Sequence, residues 1–371
     1  MESDNVVSPT GRDSAATRVG RMPTLQDVAR AARVDRSAVS YALSGKGNLS
    51  AQTRARIITR AQELGYRPNL LARSLIKQRT HTIGLVVADM TNPYYGMVAQ
   101  AVQRAAYRVG YHAIIVNTDR DARLGHELLS ALVARQVDGL IAMPDALHAD
   151  AVRSITTAGP AVVWCLWGEG PDLAPAVDFD FVQAGRLVAE HLLHLGHRRF
   201  AFVRHGVPLA SGWGGRYRGF AETLARAGYP LSPDLCRYDD ATLDGGQAAA
   251  LSFLARPDPP TAIFATSDLT AMGVLAAARA RAARVPDDLS VVGFDDILPA
   301  AHTAPPLTTV RMDTAAIMTV ATEVLVATIE GRASDAPPLF APTLVVRDST
   351  GPAPHAPSRR IEQRESMRNR P

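Results

Sequence analysis

A small all-α head followed by a two-lobe α/β body, its parallel sheets flanked by helices, is the fold class the sequence predicts. Three observations carry that prediction. Apolar residues at helical spacing fill a short N-terminal segment, short apolar runs then alternate with amphipathic stretches as far as residue 351, and the charge is divided between the two parts. The 371 residues are 47% hydrophobic and 20% charged, which is enough apolar material for more than one core and too much for a disordered chain. No run of about 18 apolar residues is present, so no membrane span is expected. Met1 to Arg21 is polar and lacks an apolar h-region, so no signal peptide is expected and the expected location is cytoplasmic. Cys165 and Cys236 are the only cysteines, too few for a disulfide framework or a metal cluster.

Residues 1–79 carry a net charge of +8 and residues 352–371 carry +3, whereas residues 80–351 carry −7. A basic head on an acidic body points to a polyanionic partner held at the head.

Taken in order, residues 1–22 and 352–371 are rich in Pro, Ser and Arg, lack apolar periodicity and are expected to be disordered tails. The head spans 23–67. Thr24 begins a first helix, with Asp27 three residues on as a variant capping box, and Leu25, Val28, Ala29 and Ala32 share a face. A tight turn, Ala32-Arg33-Val34, leads to Asp35 as cap of a second helix, Arg36 to Leu43, which buries Val39 and Leu43. Ser44 to Asn48 is a loop. Ser50 caps a third helix through Leu64, with Ile57, Ile58, Ala61 and Leu64 inward, and Gly65 ends it.

Two short helices joined by a turn and braced by a third form a helix-turn-helix. In such a head the first residues of the second helix, Arg36 and Ser37, project into a DNA major groove. Arg36 can donate two hydrogen bonds to a guanine, worth about 1–3 kcal/mol of discrimination. Arg54, Arg56 and Arg60 on the third helix read as a solvated face.

The runs Thr24-Leu25-Gln26-Asp27-Val28-Ala29, Val39-Ser40 and Leu64-Gly65-Tyr66-Arg67-Pro68-Asn69 closely resemble the lac-repressor (LacI) type of bacterial transcription regulator, and the resemblance runs on to about residue 348. It places Arg36, Ser37 and Tyr41 at base-reading positions. The DNA-contacting set it implies adds Thr24, Ser40, Asn48 and Thr53 in the head, and Asn69, Ala72, Arg73 and Leu75 in the joint. Where the family usually has glycine in the turn, this chain has Arg33; a positive φ there would strain it by about 1 kcal/mol.

Residues 68–79 form the joint. Pro68 stops the third helix, and Asn69 to Ile76 is long enough for two helical turns but too short to be stable alone. The resemblance makes it a hinge helix that orders in the minor groove, with Leu75 as an apolar wedge between base steps.

In the body, strands are expected at Ile83–Val87, Ala113–Asn117, Gly139–Met143, Ala161–Trp164, Arg199–Val203, Thr261–Ala265 and Ser290–Phe294. Helices are expected at Tyr94–Val109, Leu124–Arg135, Ala151–Thr157, Val182–Leu195, Arg216–Ala227, Asp244–Leu254 and Asp268–Arg281. Pro305–Val310 returns the chain and Thr314–Ile329 packs back as a helix. Such βα alternation builds parallel sheets with right-handed crossovers, and the stretch is too long for one. The resemblance implies the periplasmic-binding-protein fold. One lobe is expected at about 80–178 and 311–341, the other at about 179–310 and 342–351.

Ligands of parallel sheets bind at the strands' C-terminal ends. The loops there carry Asp89 to Tyr95, Ser211 to Arg216, Ser267-Asp268 and Asp295-Asp296. Carboxylates and a guanidinium beside aromatic faces suit a polyhydroxylated ligand. By resemblance, Arg216 and Asp295 match the effector-binding arginine and aspartate of sugar-responsive members, and Tyr94 and Tyr95 lie where side chains line the pocket. Ser267 stands where many members have Asn, Cys165 where they often have Asp, and Asp240 where an aromatic is frequent. Asp268 reads as a helix cap. Trp164, Trp167 and Trp213 are candidates for stacking on a sugar, with core packing an equal alternative for Trp164.

GxGxxG after the first strand, a P-loop, GxSxG and HExxH are all absent, so neither an enzyme nor a cofactor is expected. His191, His194 and His197 lack a metal-ligand spacing and read as solvated. The expected function is a transcriptional regulator, most simply a repressor, reading a near-palindromic operator as a homodimer under control of a sugar or glycoside. A regulator of non-sugar ligands, or of none, stays open. The tail after 352 has no leucine repeat for a tetramerising coiled coil, so a dimer is expected.

Overall fold

The computed structural model describes residues 23–354 except Lys46, 68–78, parts of 145–158, 167–174, 206–211 and Asp240. The chain divides into two compact units, Met1–Gln78 and Arg79–Pro371.

In the first unit, α1 (Leu25–Ala32), α2 (Arg36–Ser44) and α3 (Ala51–Glu63) pack around Val28, Ala29, Ala32, Val39, Ala42, Ile57 and Ala61. Thr24 and Asp27 cap each other's backbone at the start of α1, Asp27 accepting the Thr24 N–H at 2.8 Å. Ser50 caps α3 by accepting the Thr53 N–H at 3.1 Å. Two expectations fail here. Asp35 occupies the N-cap position of α2 but its side chain makes no capping bond. Ile58 and Leu64 are exposed, because the bundle is narrow and α3 has only one apolar stripe, Ile57 and Ala61, to offer it.

The second unit begins with β1 (Thr82–Val87), α4 (Pro93–Arg108), β2 (His112–Asn117), α5 (Ala122–Ala134), β3 (Gly139–Ala142), β4 (Ala161–Cys165) and β5 (Ala176–Val177). These strands form one parallel sheet in the order β2-β1-β3-β4-β5. Central strands such as β1 are buried on both faces, which explains their continuous apolar sequence.

A second sheet follows from α6 (Phe181–His194), β6 (Phe200–His205), α7 (Gly212–Arg226), β7 (Cys236–Asp239), α8 (Leu243–Leu254), β8 (Ala262–Ala265), α9 (Asp268–Ala280), β9 (Ser290–Asp295) and β10 (Thr308–Arg311). The chain then returns to the first sheet as α10 (Thr314–Glu330), which packs on α4, β3 and β4, before adding β11 (Thr343–Val345) to the second sheet. The second sheet runs β11-β10-β9-β8-β6-β7, parallel except for β11. Two of the crossing segments touch: Asp180 donates its N–H to the Phe340 carbonyl at 2.9 Å, and Phe340 donates to that of Asp178 at 3.0 Å. Strands β5, β7, β10 and β11 were not expected as strands; β5, β7 and β11 are short and sit at sheet edges, whereas β10, where the chain was expected only to return, lies inside the second sheet between β9 and β11.

His197 departs from its expected solvated state. It is fully buried between the second sheet and the C-terminal segment. Its Nδ1 pairs with the Thr261 hydroxyl at 2.9 Å, and its Nε2 lies 3.0 Å from the Ser290 hydroxyl and 3.1 Å from the Gly351 carbonyl.

Candidate functional site

Two sites emerge, one in each unit. On the head, α2 presents Arg36, Ser37, Ser40 and Tyr41 along one exposed face, since residues three and four apart on a helix are neighbours on its surface. Asn48 is exposed on the loop beyond α2, and Thr53 and Thr24 are half-buried at the first turns of α3 and α1. The opposite face of α2 holds Val39 and Ala42 in the core, so packing fixes which side points outward. Asn69, Ala72, Arg73 and Leu75 lie outside the described residues.

Arg33 takes the strained conformation that its place in the turn foreshadows, with φ 51° and ψ 54°. Its backbone N–H ends α1 by bonding to the Ala29 and Arg30 carbonyls. Arg54 is not merely solvated: its guanidinium reaches back to α2 and the loop after it.

In the body, two strand ends of the second sheet, those of β8 and β9, and the start of α6 converge on Arg216. Helices α6 and α7 cross closely at Gly185 and Gly219; a Cβ at Gly185 would overlap the Arg216 carbonyl, and one at Gly219 that of Val182. That contact seats Arg216, which is fully buried, in the middle of the lobe. Its Nη1 donates to the Thr266 carbonyl, next to Ser267. Its guanidinium carbon stands 3.8 Å from the centroid of the Phe294 ring, next to Asp295, and 5.1 Å from that of Phe181. Asp295 is buried with φ 110°, an uncommon backbone for a residue with a side chain and one that marks functional sites. The aromatic shell of Phe181 and Phe294 was missed from the sequence, although each flanks or opens an element next to a candidate residue.

Ser267, and not Asp268, takes the cap at the start of α9, accepting the Thr270 N–H at 3.2 Å. Asp268 does not cap. Its buried carboxylate accepts the Ile297 N–H at 2.9 Å and the Thr309 hydroxyl at 2.5 Å, tying α9 to the segments after β9 and in β10. Burial pushes that carboxyl up to about 7 against the pull of these bonds. The neighbouring Asp296 clips two arginines, Arg311 and Arg347, each at 2.6 Å, where the chain leaves and re-enters the second sheet.

The first-lobe candidates are buried side chains. Tyr94 and Tyr95 are in the core, ring to ring at 5.1 Å. Cys165, at the end of β4, is fully buried, and burial together with Asp178 pushes its thiol far up, so it is held as the neutral thiol. Trp164 packs in the core. Beside them, at the ends of β1 and β2, Asp89 accepts the Thr91 N–H at 2.9 Å and faces Arg120 at 3.4 Å. Burial alone would raise Asp89, but Thr91 and Arg120 outweigh it and hold the carboxyl below its usual range. Asp240 and Trp167 lie outside the described residues, and Trp213 belongs to the first turn of α7. Among the described residues, no group of three His, Cys, Asp or Glu is placed to hold a metal ion, and no helix is long and apolar enough to cross a membrane.

Comparison with known proteins bears on both sites. Residues 24–69 match the family of bacterial regulatory proteins, lacI family, and residues 189–350 match the periplasmic binding protein-like domain. The HTH-type transcriptional regulator DegA of Bacillus subtilis is 35% identical over 290 residues, which are 77% of this chain and 86% of DegA. The HTH-type transcriptional regulator CelR of Thermobifida fusca is 34% identical over 343 residues, 89% of this chain and 98% of CelR. Among solved structures, the lac repressor dimer bound to operator and the anti-inducer ONPF superposes with a TM-score of 0.78 at 26% identity, covering 89% of this chain and all of that one. A CelR–cellobiose complex gives 0.65 at 32% identity, covering 88% and 99%. With a helix-turn-helix head, a two-lobe α/β body and relatives of this likeness, the chain belongs to the LacI family of bacterial regulatory proteins.

Proposed function

We propose that this chain is a transcriptional regulator, acting as a repressor, that binds a near-palindromic operator as a homodimer and is controlled by a sugar or glycoside held between the lobes of its body. The observation that carries the reading is the exposed face of α2: Arg36, Ser37, Ser40 and Tyr41 point outward while Val39 and Ala42 hold the helix from behind. Contacts of this kind read base edges, and a two-fold protein imposes two-fold symmetry on its site. Relatives support the DNA partner and the dimer, since a lac repressor dimer was solved on operator. They also support the ligand class, since CelR was solved with cellobiose and a LacI-family regulator of Lactobacillus casei with glucose. No catalytic role, cofactor or membrane partner is proposed, and the site of action is the cytoplasm.

In the effector site, Arg216 and Asp295 are proposed to bind hydroxyls, with Phe294 and Phe181 forming an apolar wall. Both polar residues are buried, so a ligand reaches them only after their side chains are uncovered. Ligand and operator are coupled through lobe closure, and the ligand shifts that equilibrium by no more than its difference in affinity for the two states. A second reading, a non-sugar ligand, is favoured by one observation: Cys165, which the family resemblance sets where an Asp is frequent, is a buried neutral thiol and offers no carboxylate to hydroxyls.

The test is selection of genomic fragments by the full-length protein at a stated salt concentration, because phosphate contacts make affinity salt-dependent. One near-palindrome is expected to be enriched, and cellobiose, glucose and ribose are then scored for release of it. Enrichment of no sequence refutes the regulator reading. Release by none of the sugars, but by a compound acted on by the neighbouring genes, replaces the sugar.

A further inference from the structure

We propose that Arg54 on α3 is a positioning residue for DNA reading, a clamp that fixes Tyr41 and the end of the recognition helix without touching DNA. The inference rests on the DNA reading proposed above. The three arginines of α3 look alike in sequence, but the structure separates them. Arg56 and Arg60 are exposed, and Arg60 pairs with Glu63 at 2.6 Å on the surface. Arg54 is half-buried and turned toward α2. Its Nη1 donates to the carbonyls of Tyr41 at 3.4 Å and Ala42 at 3.3 Å, and its Nη2 donates to that of Gly47 at 3.3 Å.

These three carbonyls belong to two structures that nothing in their own sequence joins firmly. Tyr41 and Ala42 lie in the last turn of α2, which contains no basic residue. The partial negative charge that accumulates at a helix C-terminus is therefore met from α3, by Arg54. Gly47 lies in the loop, with φ 79°, and a Cβ there would come within 2.8 Å of Tyr41 Cγ. The loop backbone thus lies against the Tyr41 ring, and Arg54 holds the loop carbonyl on one side and the Tyr41 carbonyl on the other. Tyr41 is half exposed, so packing alone does not set its ring. A planar guanidinium can span three acceptors; an ammonium is a compact point charge on a flexible stem and cannot hold the same fork. Preorganising a reading side chain in this way lowers the ordering cost of the specific complex, where the ring's place matters.

The experiment compares full-length wild type with Arg54→Ala and Arg54→Lys. The probes are the duplex that wild type selects from a random-sequence pool and a scrambled duplex of the same composition. Arg54→Ala is expected to lower the ratio of affinities for selected over scrambled DNA about tenfold, the scale of a few charge-assisted hydrogen bonds. The dependence of log affinity on log salt is expected to stay unchanged, because no phosphate contact is lost. Amide exchange of the peptide spanning 41–49 is expected to quicken about tenfold, with α1 and the rest of α3 still protected. Arg54→Lys is expected to behave like Arg54→Ala. A salt slope reduced by about 1 with unchanged exchange at 41–49 would make Arg54 a phosphate contact and overturn the proposal. Wild-type discrimination in Arg54→Lys would overturn it too, since charge would then suffice without the fork. If Arg54→Ala loses protection throughout the head, Arg54→Lys decides between the same two results. If wild type selects no sequence, the regulator reading falls, and exchange at 41–49 alone then upholds or overturns the clamp.

Discussion

Replacing Arg33 by glycine is expected to stabilise the head. Arg33 ends α1 in the left-handed region, at φ 51° and ψ 54°, where a Cβ crowds its own carbonyl at a cost of about 1–2 kcal/mol. Glycine removes that crowding but has more freedom to lose on folding, which returns about 0.5–1 kcal/mol. Its backbone bonds to Ala29 and Arg30 survive the change, and its side chain is exposed, so little else is altered. The net gain is therefore about 0.5–1 kcal/mol, or a two- to fivefold smaller open population. Hydrogen exchange of amides in 25–44, followed in the full-length protein, reads this directly as slower exchange. Arg33→Ala is the control: it removes the charged side chain but keeps the Cβ, and is expected to leave exchange nearly unchanged. If glycine slows exchange no more than alanine does, the strain argument is wrong and the residue's side chain, not its φ, sets the difference.

Four other outcomes are expected. Arg36→Ala lowers discrimination of the selected operator over random DNA by about 1–3 kcal/mol, measured as a ratio of dissociation constants. Gly219→Ala drives a methyl into the Val182 carbonyl, where backbone cannot yield, and lowers the stability of the body by about 2–3 kcal/mol, seen as a lower denaturant midpoint. Arg216→Lys keeps the charge but loses the planar face over Phe294; for whichever sugar raises the wild-type melting temperature, binding weakens at least about tenfold by calorimetry. His197 is held neutral by burial, its pKa lowered to about 4 from an ordinary 6.5. Its contribution is full above pH 6.5 and drains away as pH falls toward 4, by up to about 3 kcal/mol. Unfolding midpoints taken from pH 7.5 to 4 should fall for wild type and flatten in His197→Gln; a flat wild-type profile contradicts the burial argument.

Much of the architecture is written locally. Thr24 with Asp27, and Ser50 with Thr53, announce helix starts because the cap and the amide it satisfies lie within one turn. The apolar runs of β1 and β8 announce buried parallel strands because both faces must be covered. The outward face of α2 also follows, since Val39 and Leu43 mark the inner one, which the structure completes with Ala42. What the sequence misassigned depends on neighbours distant in the chain. His191, His194 and His197 look equivalent, yet only His197 meets Thr261, Ser290 and Gly351. Arg54, Arg56 and Arg60 look equivalent, yet only Arg54 finds the end of α2. Asp268 stands at a helix start, where a cap is expected, but the Thr309 hydroxyl and Ile297 amide lie across the sheet and claim it.

The sequence by itself determined most of the order of helices and strands, the division into head and body, and which face of α2 is exposed. These follow from periodicity and capping, which act over a few residues, and from motif residues that lie close together. Only the tertiary structure decided the surroundings of Arg216. Phe181, Phe294 and Thr266 come from separate elements, and glycine contacts between α6 and α7 set the depth of the guanidinium. Burial and the partners met in it are properties of the packed chain, and no local pattern encodes which of several like residues will meet them.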